Sequence, residues 1–474
     1  MRHRVTFCLG LAPLLSVVPA SAWAQAPPPA ASGARNPAAS VPLPAPPMAP
    51  PARAANAPSA VGPSTTSVPV AAGGLSLDQA VQLTISRNER ARISDLNVVV
   101  ADAAVEKAFA QFMPVLTATG GDAQTASVAP RSPYNVGTTA LTANQPLLNA
   151  SLFPLYSQAR NLADAQHAQN VDDRRLLAFG AASAFFAVLN AQDIVEAAQR
   201  QLENAKANLD NTRARAQAQL SSTNDVTKAQ VDMTNAQHEL EGDKGTLDNA
   251  FIQLAFTING PVPASLTPPA QTLAAAEKPP GGVDTLAQFA LDHRPDVVVA
   301  KYQASAAHDF AAEPLLRIVP TLGLQGQATG TTHPTGLPWN NESVSVTLTW
   351  TIFDNGSRYA DKHSRDAQAD IAELNLKLLA RSVDAQVRGG VALLVAAQAA
   401  FHAAEDGVKV ARQNVDETAI LYKQGLATAL ELVDANDSRF TAEVNYASAE
   451  FSMAQAYLTL RQALGLDALG TELR

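Results

Sequence analysis

The stretch at residues 343–353 reads S-V-S-V-T-L-T-W-T-I-F, with Val344, Val346, Leu348, Trp350 and Ile352 at every second position and only Ser or Thr between them. Successive strand side chains point to opposite faces, so the pattern predicts a strand with one apolar and one hydroxyl-bearing face. Such a strand suits a boundary between hydrocarbon and water, and eleven residues is about the length of a tilted strand that crosses a bilayer. A lone strand would leave its backbone groups unsatisfied in lipid. Partner strands must therefore close a barrel with it, from this chain or from other copies. Val344, Val346, Leu348, Trp350 and Ile352 are the expected membrane-facing side chains.

The rest of the 474-residue chain fits no ordinary enzyme core. It is 47% hydrophobic, but only 5% aromatic and 16% charged, with Ala and Gln recurring throughout, a composition suited to long, closely packed helices. The formal net charge of -9 argues against a nucleic-acid partner, which would want a basic face, although the charge alone excludes little. Residues 1–24 have the parts of a secretory signal: Arg2 and Arg4, an apolar run, and Ala22-Trp23-Ala24 as a cleavage site. The one cysteine, Cys8, lies inside that run, so the mature chain is expected to have no disulfide. Residues 25–74 hold 13 of the 31 prolines and almost no charge, which predicts a flexible leader. No unbroken apolar run of helical membrane-spanning length follows, so any crossing is expected to be by strands.

Beyond the leader the sequence is written twice. Pro114 in F-M-P-V-L corresponds to Pro320 in I-V-P-T-L, Asn149-Ala150-Ser151 to Asn355-Gly356-Ser357, and Leu220 to Leu426, always at an offset of 206. A constant offset over this distance predicts two copies of one structural unit. These are the first repeat at residues 75–260, a linker at 261–282, the second repeat at 283–466 and a tail at 467–474. Each copy reads as a helical segment (76–112, 284–318) stopped by its proline, two strands (115–128 and 137–147; 321–331 and 343–353) around a Pro/Gly/Asn-rich tip, and a long helical hairpin. In the second copy Val387, Leu394, Phe401, Val408, Val415 and Tyr422 recur every seven residues. Three places after the first five stand Gly390, Ala397, Ala404, Ala411 and Thr418. Val188, Val195, Leu202 and Leu209 repeat the scheme in the first copy. Large residues against small ones describe coiled-coil helices in close approach. Four strands enclose no water-filled barrel by themselves, so several copies are expected to combine.

In this order of elements, in P-L-L-N-A-S (146–151), T-I-F-D-N-G-S (351–357) and Y-K-Q-G-L-A-T-A-L-E-L-V-D-A (422–435), the chain resembles the TolC-like outer-membrane efflux proteins. The resemblance implies a mainly α fold with a membrane β-barrel: a homotrimer with a twelve-stranded barrel in outer-membrane lipid above a periplasmic α-helical tunnel. It implies an inner-membrane transporter and a periplasmic adaptor as partners, and a passive channel instead of an enzyme. It also places Glu431 and Asp434 at an acidic pore constriction, Tyr422 and Asp225 at a gating link, and Gly425 at the hinge. A basic link residue common in the family falls at Ala427.

The residues themselves leave alternatives beside these roles. Thr428 with Glu431, and Ser222 with Asp225, are capping-box patterns, and Tyr422 continues the heptad seam. Trp350, Trp339 and Tyr134 suit an aromatic belt or ordinary packing. No catalytic constellation, cofactor motif or metal-ligand spacing is found, so no cofactor is expected. An exit duct for type I protein secretion would share the fold. A periplasmic coiled-coil scaffold would need only one hairpin and no lipid-facing strand.

Overall fold

The computed structural model describes residues 74–125, 134–332 and 339–469. The expected signal segment and leader, apart from Gly74, lie outside them, as do most of the expected strand tips and the last five residues of the tail. Each half follows the same order. The first is α1 (Leu77–Arg87), α2 (Glu89–Ala110), β1 (Val115–Thr125), β2 (Tyr134–Leu148), α3 (Leu152–Gln217) and α4 (Thr223–Ile258). After α5 (Ala270–Ala276), the second is α6 (Val283–His293), α7 (Pro295–Leu316), β3 (Thr321–Thr332), β4 (Trp339–Thr349), α8 (Ser357–Lys423) and α9 (Ala429–Ala463).

The helical segments expected to be continuous before each first strand are broken once. Asn88 leaves the helical region at ψ 131, where its side chain accepts from the Arg90 N–H and donates to the Thr257 carbonyl. Arg294 does the same at ψ 128 because Pro295 follows it, and the ring of a proline disfavours α geometry in the residue before.

The four strands form one antiparallel sheet in the order β1-β2-β3-β4. Directly opposed residues share a face, so the register sorts the side chains. Leu116 lies opposite Ala143, Ala143 opposite Gly326, and Gly326 opposite Val344; Leu324 faces Val346, and Leu322 faces Leu348. The other face carries Thr117, Thr142, Gln327 and Ser343 in one row and Gln325 beside Ser345 in the next. In these pairs one face is apolar and the other hydroxyl- and amide-bearing, while Asp122, Thr139, Gln145 and Glu342 also fall on the apolar side.

The decisive strand is displaced from its expected bounds. β4 starts at Trp339 and ends at Thr349, so Trp350 and Ile352 lie past its end. Thr349 pairs with Thr321, and the residue before Thr321 is Pro320, which has no N–H to extend the ladder. The Trp350 indole N–H instead donates to the Ile318 carbonyl at 2.9 Å. Phe109, Phe112, Phe153 and Tyr156 cluster near the same end of the sheet, with Phe112 and Phe153 centroids 5.4 Å apart. Tyr134 and Trp339 open β2 and β4 at the opposite end.

Below the sheet, α3 and α8 run on for 66 and 67 residues, each roughly 100 Å at about 1.5 Å per residue. Their heptad residues are buried: Val188, Val195, Leu202 and Leu209 in α3, and Val387 through Tyr422 in α8. The small positions let the rods touch. A Cβ on Gly390 would come within 3.3 Å of the Leu460 backbone. Each rod contains an 18-residue window of mean hydropathy 1.3, apolar and long enough to cross a membrane by length and composition alone, and in α3 half of that window is buried.

Packing repeats one lateral order in three tiers. In the sheet it is β1-β2-β3-β4; in the upper helices α2 packs on α3, α3 on α7 and α7 on α8; in the lower ones α4 packs on α3, α3 on α9 and α9 on α8. One side of this slab is therefore β1, α2 and α4, and the other is β4 and α8. Both sides keep apolar side chains exposed, among them Ile93, Leu96 and Phe256 on the first and Leu374, Leu378 and Val410 on the second.

Candidate functional site at the hairpin tips

The α3–α4 and α8–α9 tips are the same turn built twice. At the first, Gln219 takes a left-handed φ of 59° and the Leu220 N–H donates to the Arg215 carbonyl; at the second, Gly425 takes a φ of 76° and the Leu426 N–H donates to the Leu421 carbonyl. A residue in this conformation closes a helix C-terminus by returning the next N–H to a carbonyl of the last turn. A capping box then starts each returning helix. The Ser222 side chain accepts from the Asp225 N–H while Asp225 Oδ2 accepts from the Ser222 N–H at 3.0 Å. Thr428 and Glu431 make the same exchange, with the Thr428 N–H 2.6 Å from Glu431 Oε2. The backbone N–H of Ser222 and that of Thr428, ahead of the hydroxyls, hold the Asp225 and Glu431 carboxyls below their ordinary range.

Of the residues expected to act here, Asp434 is exposed one turn beyond Glu431, and it stands near two acids that sequence reasoning missed, Asp232 on α4 and Asp437 on α9. Burial raises the Asp232 and Asp437 carboxyls first; the Asp434 charge adds to both, and Asp232 and Asp437 are further linked by the charge of the former. The spacing of Asp434 and Asp437, three apart on one helix, was the available signal. A Cβ placed on Gly425 would meet nothing within 4 Å, so it is the left-handed φ and not crowding that favours glycine in this turn. Tyr422 is buried, with 4% of its surface exposed. Among the described residues no hydrogen bond joins its hydroxyl to Asp225, whose Oδ2 accepts from Ser221 and Ser222. Its ring is covered by Arg215, whose guanidinium carbon is 4.4 Å from the ring centroid.

Above the tips, α3 and α9 are tied by a ladder in which rising α3 numbers meet falling α9 numbers. Arg175 donates to the Gln462 carbonyl, Ser183 to Gln455, Arg200 to Glu443 and Gln201 to Asp437. Glu443, 8% exposed, also receives Arg412 of α8, so one carboxylate joins three helices. Higher on the same seam burial pushes the Asp193 and Glu450 carboxyls up; the Glu196 charge adds to the first, and Asp193 and Glu277 add to the second.

At the membrane end, Val344, Val346 and Leu348 are 79%, 63% and 64% exposed in the single chain. They continue the apolar face of the sheet onto its outer strand. The arrangement can hold a sheet in lipid and a water-facing helical wall beneath it; among the described residues it gathers no nucleophile with an activating base.

Known proteins share this architecture. The family model described as outer membrane efflux protein matches residues 80–260 and again 286–466. Outer membrane protein TolC of Escherichia coli K12 is 24% identical over 427 residues, 83% of this chain and 85% of that one. Protein CyaE of Bordetella pertussis is 28% identical over 151 residues, which cover 31% of this chain and 32% of CyaE. A CusC crystal structure, described for conformational changes accompanying folding and transmembrane channel formation, superposes with a TM-score of 0.73 at 18% identity, covering 82% of this chain and 92% of that one. With both halves matched by the family model, the chain belongs to the outer membrane efflux protein family, the TolC-like channels of the outer membrane.

Proposed function

We propose that three copies close into a twelve-stranded barrel continuous with a periplasmic helical tunnel, a passive duct that carries small molecules outward from an inner-membrane transporter through a periplasmic adaptor. The observation behind this is the slab with two unlike open sides, β1-α2-α4 and β4-α8, in register through all three tiers. A strand edge left open in hydrocarbon leaves backbone groups without partners, and side-by-side joining of β4 to β1 of the next copy removes both edges at once. Unlike sides join head to tail, which yields a ring when the rotation closes. The apolar face of the sheet then meets lipid, and its Thr, Ser and Gln face lines water.

In this reading the chain supplies a path and no chemistry, and energy comes from the transporter. Glu431 and Asp434 of three copies surround the narrow end, where six carboxylates attract cations. The test combines two measurements on the full chain. Detergent-purified protein is expected to run as a trimer and to give discrete conductance steps in a planar bilayer, with Glu431→Ala plus Asp434→Ala lowering cation selectivity. A strain lacking the protein is expected to become sensitive to dyes, antibiotics or metal salts. A monomer that needs no detergent, or an electrically silent bilayer, overturns the duct; loss of a secreted protein with unchanged resistance overturns the small-molecule cargo.

A further inference from the structure

We propose that Arg381 of one copy caps the end of α4 in the next, donating to the Phe256 carbonyl. The contact rests on the ring proposed above and gives its boundary a specific residue pair.

The internal repeat dictates what meets at that boundary. In a ring, the lower order α4-α3-α9-α8 is followed by α4 of the next copy. Because α8 is the counterpart of α3, and α4 that of α9, the boundary between α8 and the next α4 repeats the boundary between α3 and α9 inside one copy. Each side chain that α3 places on α9 has a counterpart on α8, 206 residues further on. Each acceptor on α9 has one on α4, 206 residues back.

The ends of α4 and α9 are one structure built twice. Asn259 and Gly465, at that offset, take left-handed φ of 54° and 78°. The Gly260 N–H returns to the Ala255 carbonyl as the Leu466 N–H returns to the Arg461 carbonyl. The Asn88 side chain donates to the Thr257 carbonyl, and its counterpart Arg294 donates to the Ala463 carbonyl. The end of α9 has one donor more. Arg175 of α3, 3% exposed, reaches the Gln462 carbonyl at 2.8 Å. The matching carbonyl in α4 belongs to Phe256, and among the described residues no side chain donates to it; it accepts only from its own helix end, at Asn259.

The counterpart of Arg175 is Arg381. It is exposed on α8, and among the described residues it has no hydrogen bond or ion pair. Asp172, which pairs with Arg175, is replaced in α8 by Leu378, and nearby Asp384 already holds Arg388. One side of the subunit thus has a donor without an acceptor, and the other an acceptor without a side-chain donor, at positions that make a bond in the interior. A cation at this place also meets the negative end of the helix dipole. Apolar neighbours follow the same rule: Ile371 and Leu378 are exposed on α8, whereas their counterparts Ala165 and Asp172 are buried in α3.

The receiving side has room and charge for a guanidinium. An open cavity of about 780 Å³ is lined there by Phe256, Thr257 and Asn259 with Glu89, Arg90 and Asp173. Asn259 holds the Glu89 carboxylate at 2.7 Å, beside the end of α4. Arg90 is the one cation in the lining, against two acids.

Full-length protein in detergent tests the contact. With Arg381→Cys and Phe256→Cys in one chain, a short bismaleimide is expected to give covalent dimers and trimers on a denaturing gel, and monomers alone in either single variant and in the wild type. Arg381→Met is expected to speed subunit exchange between labelled trimers several-fold. Arg388→Met removes a cation bound within its own copy and is expected to exchange at the wild-type rate. A trimeric, conducting wild type whose double-cysteine variant stays monomeric on the gel overturns the contact and leaves the ring standing. So does an Arg381→Met trimer that exchanges at the wild-type rate, or no faster than Arg388→Met. A monomeric wild type overturns the ring and the contact together.

Discussion

The two hairpin tips share a backbone and differ in side chains. Each has a left-handed residue 206 positions from its counterpart, one N–H returned to the last turn, and one capping box. Yet the first tip closes on Gln219 and the second on Gly425, and the first tip's Arg215 covers the second tip's Tyr422 with no contact in return. Duplication preserved what the hydrogen-bond geometry needs and left the side chains free to become unequal. The second tip alone has a glycine at its left-handed position, so it is the one expected to move.

The comparison breaks most readily at Tyr422. Truncating it to Ala leaves a hole where a buried aromatic stood, with an expected cost of about 3 kcal/mol in local opening, read by amide exchange at the end of α8. The counterpart change, Ala216→Gly, is expected to cost about 1 kcal/mol or less. Removing either cap, Ser222→Ala or Thr428→Ala, is expected to cost about 1 kcal/mol and to loosen only its own returning helix, because the two boxes are alike. If one cap proves much more costly than the other, the tips are not equivalent in their scaffolding. Gly425→Ala puts a Cβ on a left-handed residue and is expected to cost about 1 kcal/mol, whereas Gln219→Gly relieves that strain and gains less than about 1 kcal/mol, because glycine also loosens the unfolded chain.

The smallest effects are those of pH, and they have opposite signs in two regions. Asp225 and Glu431 have depressed carboxyls, so their contribution is present above the ordinary carboxylate pKa and is lost as pH falls through the depressed values. Asp193 and Glu450 have raised carboxyls, so the seam is more stable when they are protonated and weakens as pH rises from the ordinary value through the raised one. Asp193→Asn with Glu450→Gln is therefore expected to raise the melting temperature by a few degrees at neutral pH and to gain less in acid, followed by thermal unfolding at both pH values.

Patterns along the chain were legible, while contacts between its halves were not. The offset of 206 located the two units, and the heptads from Val188 and Val387 marked the buried seams that the rods present. Strand limits were less visible. Asn340 and Asn341 carry no apolar signal, yet they belong to β4 because the ladder pairs them with Gly330 and Thr329; Trp350 carries a strong one and falls outside because Pro320 ends the partner strand. The break before Pro295 was readable from the proline, whereas the one at Asn88 depends on a bond to Thr257. The pairing of Arg215 with Tyr422 depends on how α3 sits against α9, which no local pattern states.

The open sides of the slab have a further consequence for a cell that makes both intact and damaged copies. In the proposed ring, a copy spoiled only along β4 and α8 still offers a sound β1, α2 and α4, so it would join neighbours without completing the circle. One such lesion would drain good subunits into dead ends and behave as a dominant defect. A copy spoiled on both sides would be ignored, and the worse lesion would give the milder phenotype.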